Sequence, residues 1–320
     1  MNLPKGVLTQ MPSSDRDLSE PPAYIPPGTF LGLPATRQTT GVDLAIVGIP
    51  FSSGGAGSQH APAAIRAASV GVRPTNPARR ANILRYCRAI DYGDLTVVPG
   101  LIQETYHEIE AGLRPLVEAG VTPICMGGDH SVTLGQLRAL RRRHGPLGFV
   151  LMDAHHDIYD SYYEGLVRYN AGTHLRRAIN EGLVDPTRSI IAGLRTFRDV
   201  DDDPAALGLD VLTIDGIADA PIASTVERIR ARLGDGPAFM SFDIDVMDPA
   251  CAPGTGSPVP GGLTNREALA IVRGLANVPF VGFDIAEINP ALDPSRITAG
   301  LGAYLMFEFM SLIAIRKSTD

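Results

Sequence analysis

The chain has 320 residues, 44% of them hydrophobic and 20% charged. That balance excludes wholesale disorder and fits a globular protein of one large domain or two modest ones. Its 28 Lys and Arg against 35 Asp and Glu leave a net charge of −7, which argues against a nucleic-acid or anionic-membrane partner. No run of 18 or more apolar residues marks a membrane span.

The first forty residues hold Pro4, Pro12, Pro21, Pro22, Pro26, Pro27 and Pro34 without a periodic apolar pattern. Proline fixes φ and removes a donor, so 1–40 reads as an extended proline-rich arm. The arm lacks the basic and apolar stretches of a secretory leader. Cys87, Cys125 and Cys251 are widely spaced and odd in number, forming neither a disulfide framework nor a zinc site, and both features predict a cytoplasmic protein. Cys125, inside an apolar run, reads as a buried spectator thiol.

After Gly41, short apolar runs alternate with stretches of helical period. In chain order the pattern predicts a strand at 42–49, a helix at 62–69, a helix at 101–119, and a strand at 122–126. The 101–119 helix sets Leu101, Tyr106, Ile109, Leu113 and Val117 on or near one face. A helix over 131–143 follows, opened by Ser131 as N-cap, then a strand at 148–152 and a helix at 173–181. Strands at 189–194 and 211–214, a helix at 222–233, a strand at 238–242, a helix at 265–275, a strand at 280–284 and a helix at 298–315 complete the series. Such alternation predicts a mostly parallel sheet with helices on its faces, and near-continuous apolar strands predict that both faces are covered. Residues 41–320 therefore read as a single α/β domain.

Ligands of open α/β sheets bind beyond the carboxyl ends of the strands, and three predicted strands end in metal-ligand residue types. Gly127-Gly-Asp-His130 follows the strand at 122–126, Asp153-Ala-His-His-Asp157 the strand at 148–152, and Asp243-Ile-Asp-Val-Met-Asp248 the strand at 238–242. Carboxylates at the ends of buried strands are costly to desolvate without a compensating cation. Alternation in an extended segment throws Asp153, His155 and Asp157 to one side, and Asp243 and Asp245 likewise. An oxygen-rich set with a minority of imidazole suits Mn²⁺ better than structural zinc, with Ni²⁺ the alternative. Carboxylates such as Asp153 and Asp243 are placed to bridge two such ions, and a pair of ions lowers the pKa of a shared water.

These three motifs, with Ala252-Pro-Gly-Thr-Gly-Ser-Pro258 and Gly261-Gly-Leu-Thr264, resemble the signatures of the ureohydrolase (arginase/agmatinase) family, closest to its agmatinase-like members. The resemblance runs from about 42 to 309. It implies a three-layer α/β/α domain holding two Mn²⁺ ions, whose bridging hydroxide attacks a guanidinium carbon and releases urea and an amine. Position by position it implies one ion on His130, Asp153, Asp157 and Asp243 and the other on His155, Asp153, Asp243 and Asp245. Glu287, in Phe283-Asp-Ile-Ala-Glu-Ile-Asn-Pro290, would anchor the substrate guanidinium as a bidentate partner. Asp129 and Asp248 are expected to brace loops. Trimers or hexamers of one chain are implied, with a hetero-oligomer as an alternative.

The chain departs from the pattern at three places. Ala171 stands where most members carry a proton-shuttling histidine, leaving His156 and His174 as candidates for proton transfer alongside Asp157. The loop 53–60, Ser-Gly-Gly-Ala-Gly-Ser-Gln-His, lacks the usual basic residue. The loop 159–169 is rich in tyrosine and ends in Arg168 and Tyr169; with Asn170 these are candidate substrate contacts. The expected activity is hydrolysis of agmatine or a guanidino acid. The alternatives are a specialised hydrolase of free guanidine, an alkylguanidine or a biguanide, and an inactive metal-binding partner subunit, which the intact ligand set disfavours.

Overall fold

The computed structural model describes residues 28–54, 57–197 and 203–319. Ten strands alternate with eight helices among them: β1 (Leu44–Gly48), α1 (Ala61–Ala68), β2 (Thr75–Asn76), β3 (Ala81–Asn82), β4 (Ala89–Asp94), α2 (Ile102–Ala119), β5 (Thr122–Met126), α3 (Thr133–His144), β6 (Leu147–Met152), α4 (His174–Asn180), β7 (Val184–Leu194), β8 (Asp210–Thr213), α5 (Ile214–Ala218), α6 (Ile222–Leu233), β9 (Ala238–Asp243), α7 (Asn265–Gly274), β10 (Phe280–Ala286) and α8 (Ile297–Thr319). Eight strands form one sheet in the order β4-β1-β5-β10-β9-β6-β7-β8, and each neighbouring pair is parallel. The short β2 and β3 pair antiparallel, apart from it.

Alternate residues of each strand enter opposite cores. Leu44, Ile46, Ile124, Met126, Val150 and Met152 pack beneath α1, α5, α6, α7 and α8. Ala45, Val47, Cys125, Phe149 and Leu151 pack beneath α2, α3 and α4. The period-two pattern with both faces apolar makes the three layers, since a strand covered on both sides has no solvent face to make polar.

Several expectations are corrected. The strand β4 is absent from the sequence-based set because it reads Ala-Ile-Asp-Tyr-Gly-Asp and carries two acids. Asp91 is nonetheless buried, held by Arg66 through a bidentate pair at 2.8 and 2.9 Å. The residue capping the turn before α3 is Asp129, whose side chain accepts from Ser131 N; Ser131 itself does not cap. Strand 211–214 ends at Thr213, and Ile214 opens the short α5. α8 is long and apolar enough to cross a membrane by length and composition over Ile297–Lys317, although Glu308 and Ser311 interrupt its apolar run. In this fold 83% of that window is buried, and α8 packs against α1 and α7 as a core helix.

Of the expected arm, residues 1–27 lie outside the described residues. Residues 28–40 run along this chain's own sheet: Phe30 is buried, its N–H donates to Asp91 at 2.7 Å, and Ala35 bridges Asp91.

Candidate metal centre

The four middle strands β5, β10, β9 and β6 end at one edge, and the segments that leave them converge. His130 begins a single 3-10 turn after β5. Asp153, His155 and Asp157 leave β6, Asp243 is the last residue of β9, and Asp245 lies in the turn beyond it. The two glycines before Asp129 serve this convergence, because a Cβ on Gly128 would sit 1.6 Å from the Phe51 carbonyl oxygen.

Two groups of donors result. In the first, His130 Nδ1 lies 2.9 Å from Asp243 Oδ2, 3.3 Å from Asp153 Oδ2 and 3.3 Å from Asp157 Oδ2. In the second, His155 Nδ1 lies 2.9 Å from Asp245 Oδ2 and 3.5 Å from Asp153 Oδ1. Asp153 therefore turns one carboxylate oxygen to each group. His130 is completely buried, while the His155 side chain is 30% exposed, so the second group forms the open side.

Four carboxylates around two imidazoles leave negative charge in excess. Burial, reinforced by the charges of Asp245 and Asp153, pushes Asp243 well above the usual carboxylate range. Burial and Asp153 raise Asp245 to about 6. Burial would favour neutral imidazoles, but the surrounding carboxylates override it, raising His130 strongly and His155 to about 12. The same histidines hold Asp153 below its ordinary range against its burial. Carboxylates packed this closely favour positive charge between them. Asp153 Oδ2 is buried and accepts no hydrogen bond among the described residues. An orphaned carboxylate oxygen beside an imidazole nitrogen and two further carboxylates is the donor set that a hard or borderline divalent ion satisfies.

The tautomer of His130 is fixed from behind. Its Nε2 is 2.8 Å from Ser241 Oγ, and Ser241 in turn donates to Asp284 Oδ1 at 2.6 Å. Thr133 and Gln136 donate to the other oxygen of Asp284 at 2.6 and 2.8 Å. With the Ser241 proton committed to Asp284, its oxygen accepts from Nε2–H, which fixes the ring so that Nδ1 is the nitrogen facing the carboxylates. Sequence reading missed Ser241, Asp284 and this role. The available signal was a polar residue at an interior position of two apolar strands, and register sets Ser241 and Asp284 side by side. It missed Arg195 as well, which donates to the carbonyls of Asp245 (2.7 Å), Met247 (3.2 Å) and Val259 (2.8 Å) and so braces the Asp245 turn.

Glu287 leaves β10 in left-handed backbone (φ 64°), its carboxylate accepting from His130 N at 2.8 Å. Asp157 is the other site residue there, at φ 49°. A non-glycine residue in this region costs of order 1–2 kcal/mol, and such strain clusters at functional positions. Burial and the nearby Asp129 push Glu287 up to about 8. Asp129 itself accepts from Ser53 Oγ at 2.6 Å and from Ser131, while Asp248 accepts from Ala250 N and Gly261 N, so both brace loops. The loop 53–60 is described except for residues 55 and 56. Within it Gly57 is required by close approach, since a Cβ would lie 2.1 Å from Asn289 Oδ1.

His174 and His156 are buried rather than at the open side. The His156 ring packs edge-on to Tyr159 at 4.5 Å, and Tyr159 edge-on to Tyr162 at 5.2 Å, with Phe197 at 6.3 Å from His156. The Tyr169 ring meets Tyr106 at 5.9 Å, Asn170 precedes the turn into α4 with its N–H on Thr173 Oγ1 at 2.9 Å, and Arg168 is exposed.

Comparison with known proteins bears on this geometry. Residues 42–311 match the arginase family. The chain is 38% identical over 304 residues to a guanidinopropionase of Pseudomonas aeruginosa, covering 93% of this chain and 95% of that protein. It is 38% identical over 299 residues to an agmatinase of Escherichia coli, covering 90% and 94%. Among solved structures it is similar to proclavaminate amidinohydrolase of Streptomyces clavuligerus, with a TM-score of 0.87 and 34% identity over 92% of this chain and 99% of that one.

Proposed function

The chain belongs to the arginase family and is a hydrolase of amidino C–N bonds in guanidino compounds, and from that premise we propose that it cleaves a small guanidino compound of the agmatine or guanidino-acid type to urea and an amine with the help of two divalent ions. The observation that carries the reading is Asp153, which turns one carboxylate oxygen to each of two donor groups. His130, Asp153, Asp157 and Asp243 would hold one ion, and His155, Asp153, Asp243 and Asp245 the other, with Mn²⁺ the first expectation and Ni²⁺ the alternative. Such ions, when bound, supply the Lewis acidity that brings a water's pKa toward neutrality.

The chain's own residues do the rest. Glu287, anchored by His130 N, is placed to accept a guanidinium as a planar, bidentate partner, and the arriving cation favours its ionised form against the burial that raises it. Holding the guanidino carbon at a fixed place converts water addition into a positioned step. Arg168, exposed beyond the site, suits the far carboxylate of a guanidino acid. We place the protein in the cytoplasm as a homo-oligomer, a trimer or hexamer.

The rings of His156, Tyr159, Tyr162 and Phe197 favour a second reading, in which the substrate is compact or apolar: guanidine, an alkylguanidine or a dimethylbiguanide. The test is urea release by metal-reconstituted protein with Mn²⁺ or Ni²⁺ on agmatine, 3-guanidinopropionate, 4-guanidinobutyrate, arginine, guanidine and dimethylbiguanide. Turnover of a long-chain compound upholds the first reading, and turnover of compact compounds alone upholds the second. Silence with two ions bound sinks both and brings the inactive-partner reading forward.

A further inference from the structure

His174 lies against the first donor group without belonging to its expected ligands. Its ring stacks on that of His130, with centroids 4.2 Å apart and planes 24° from parallel. Its Nδ1 is 2.8 Å from the Ala171 carbonyl oxygen and 3.2 Å from Asp157 Oδ2. A carbonyl oxygen only accepts, so Nδ1 carries the proton and donates it to Ala171, while Asp157 Oδ2 lies 3.2 Å from the same nitrogen as an electrostatic neighbour. His130, Asp157 and His174 lie close enough together to resemble a ligand set, but the bond to the Ala171 carbonyl engages the Nδ1–H of His174 away from it. Nε2, on the other side of the ring, is buried and has no partner among the described residues. The residue is fully buried.

An imidazole with one buried nitrogen unpartnered is a poor core residue, because an apolar ring of the same shape avoids the desolvation. The retained feature is the Nδ1–H. It reaches Asp157, whose left-handed backbone (φ 49°) needs outside support. Ala171, one turn earlier, contributes the carbonyl that orients the ring.

We propose that His174 is a positioning residue for the ion held by His130, Asp153, Asp157 and Asp243, holding the Asp157 carboxylate through electrostatic contact with the Ala171-oriented Nδ1–H and the His130 ring through stacking. This inference rests on the metal-centre reading above. The test is Mn²⁺ binding to the full-length chain, by equilibrium dialysis with elemental analysis and by chelator competition. It compares wild type with His174→Phe and His174→Leu, which lack the donor, and His174→Asn, whose amide N–H replaces Nδ1–H. Wild type binds two ions. The Phe and Leu variants keep one and bind the other about 10–100-fold more weakly, the usual cost of losing an outer hydrogen bond to a ligand, while Asn stays near wild type. Melting of the ion-free variants separates a folding defect, from the lost bond to the Ala171 carbonyl, from weakened ion binding; if His174→Phe does not fold, Leu carries the comparison. The proposal is overturned if the donor-less variants bind both ions as tightly as wild type, or if Asn falls as far as they do. Fewer than two ions on wild type would instead bring down the metal-centre reading, and the inference with it.

Discussion

Replacing Asp153 by Asn probes the centre where its two donor groups meet, with almost no change of shape. In the ion-free chain large terms oppose one another. Losing the attraction to His130 at 3.3 Å and His155 at 3.5 Å removes about 5 kcal/mol for each charged pair at an effective dielectric near 20. Removing a buried carboxylate also relieves its desolvation and its repulsion of Asp243 and Asp245, which is of comparable size. The ion-free stability should therefore change by no more than about 2 kcal/mol, in either direction. With ions present the terms no longer cancel. An ion that binds only the folded chain, at a hundred times its Kd, adds about 2.7 kcal/mol, so two raise Tm by roughly 10 °C. The variant has lost the charged group that serves both ions, so most of that increment should vanish. Calorimetry of wild type and D153N, each with EDTA and with excess Mn²⁺, measures both quantities. A variant that keeps the full ion-dependent increment would refute the shared-carboxylate arrangement, as would a large collapse of its ion-free Tm.

Ser241→Ala removes the acceptor that holds His130 Nε2–H and should weaken Mn²⁺ binding about 10–100-fold while the second group is unaffected; chelator competition reads the change. Ion binding should release protons and weaken as pH falls. His155, raised to about 12, is protonated throughout the neutral range and must lose its proton to ligate, whereas Asp245, raised to about 6, gains one as pH drops through that value. Titration calorimetry in buffers of different ionisation enthalpy measures that release, and pH-independent affinity between 5.5 and 8 would contradict it. Glu287→Gln keeps the size and the contact to His130 N but loses the charge that meets a guanidinium, so kcat/KM should fall by about 10²–10³ with two ions still bound. Steady-state urea release alongside metal analysis separates the two effects.

The layered architecture was readable because a covered parallel strand is apolar along most of its length, as 122–126, 148–152, 238–242 and 280–284 are, with Ser241 and Asp284 the polar exceptions. The candidate ligands were readable for the complementary reason. Acids and histidines placed where such strands stop, at His130, Asp153, His155, Asp157, Asp243 and Asp245, have a cost that ordinary solvation does not meet. The strand β4 was not readable, because Asp91 and Asp94 break the apolar pattern and their partner, Arg66, comes from α1.

What the one-dimensional chain could not decide is which distant residues become neighbours. Sheet order sets β10 and β9 between β5 and β6, bringing Glu287 to the N–H of His130 and Ser241 beside Asp284. The direction of a ring is equally a tertiary property. His174 was expected from its proximity in sequence to transfer protons, and packing buries it against His130 and Asp157. Residue type and local spacing determine what chemistry a segment can offer, because desolvation cost and period are local. Which atom of each side chain faces which partner depends on strand register and helix packing, and those are settled only when the whole core closes.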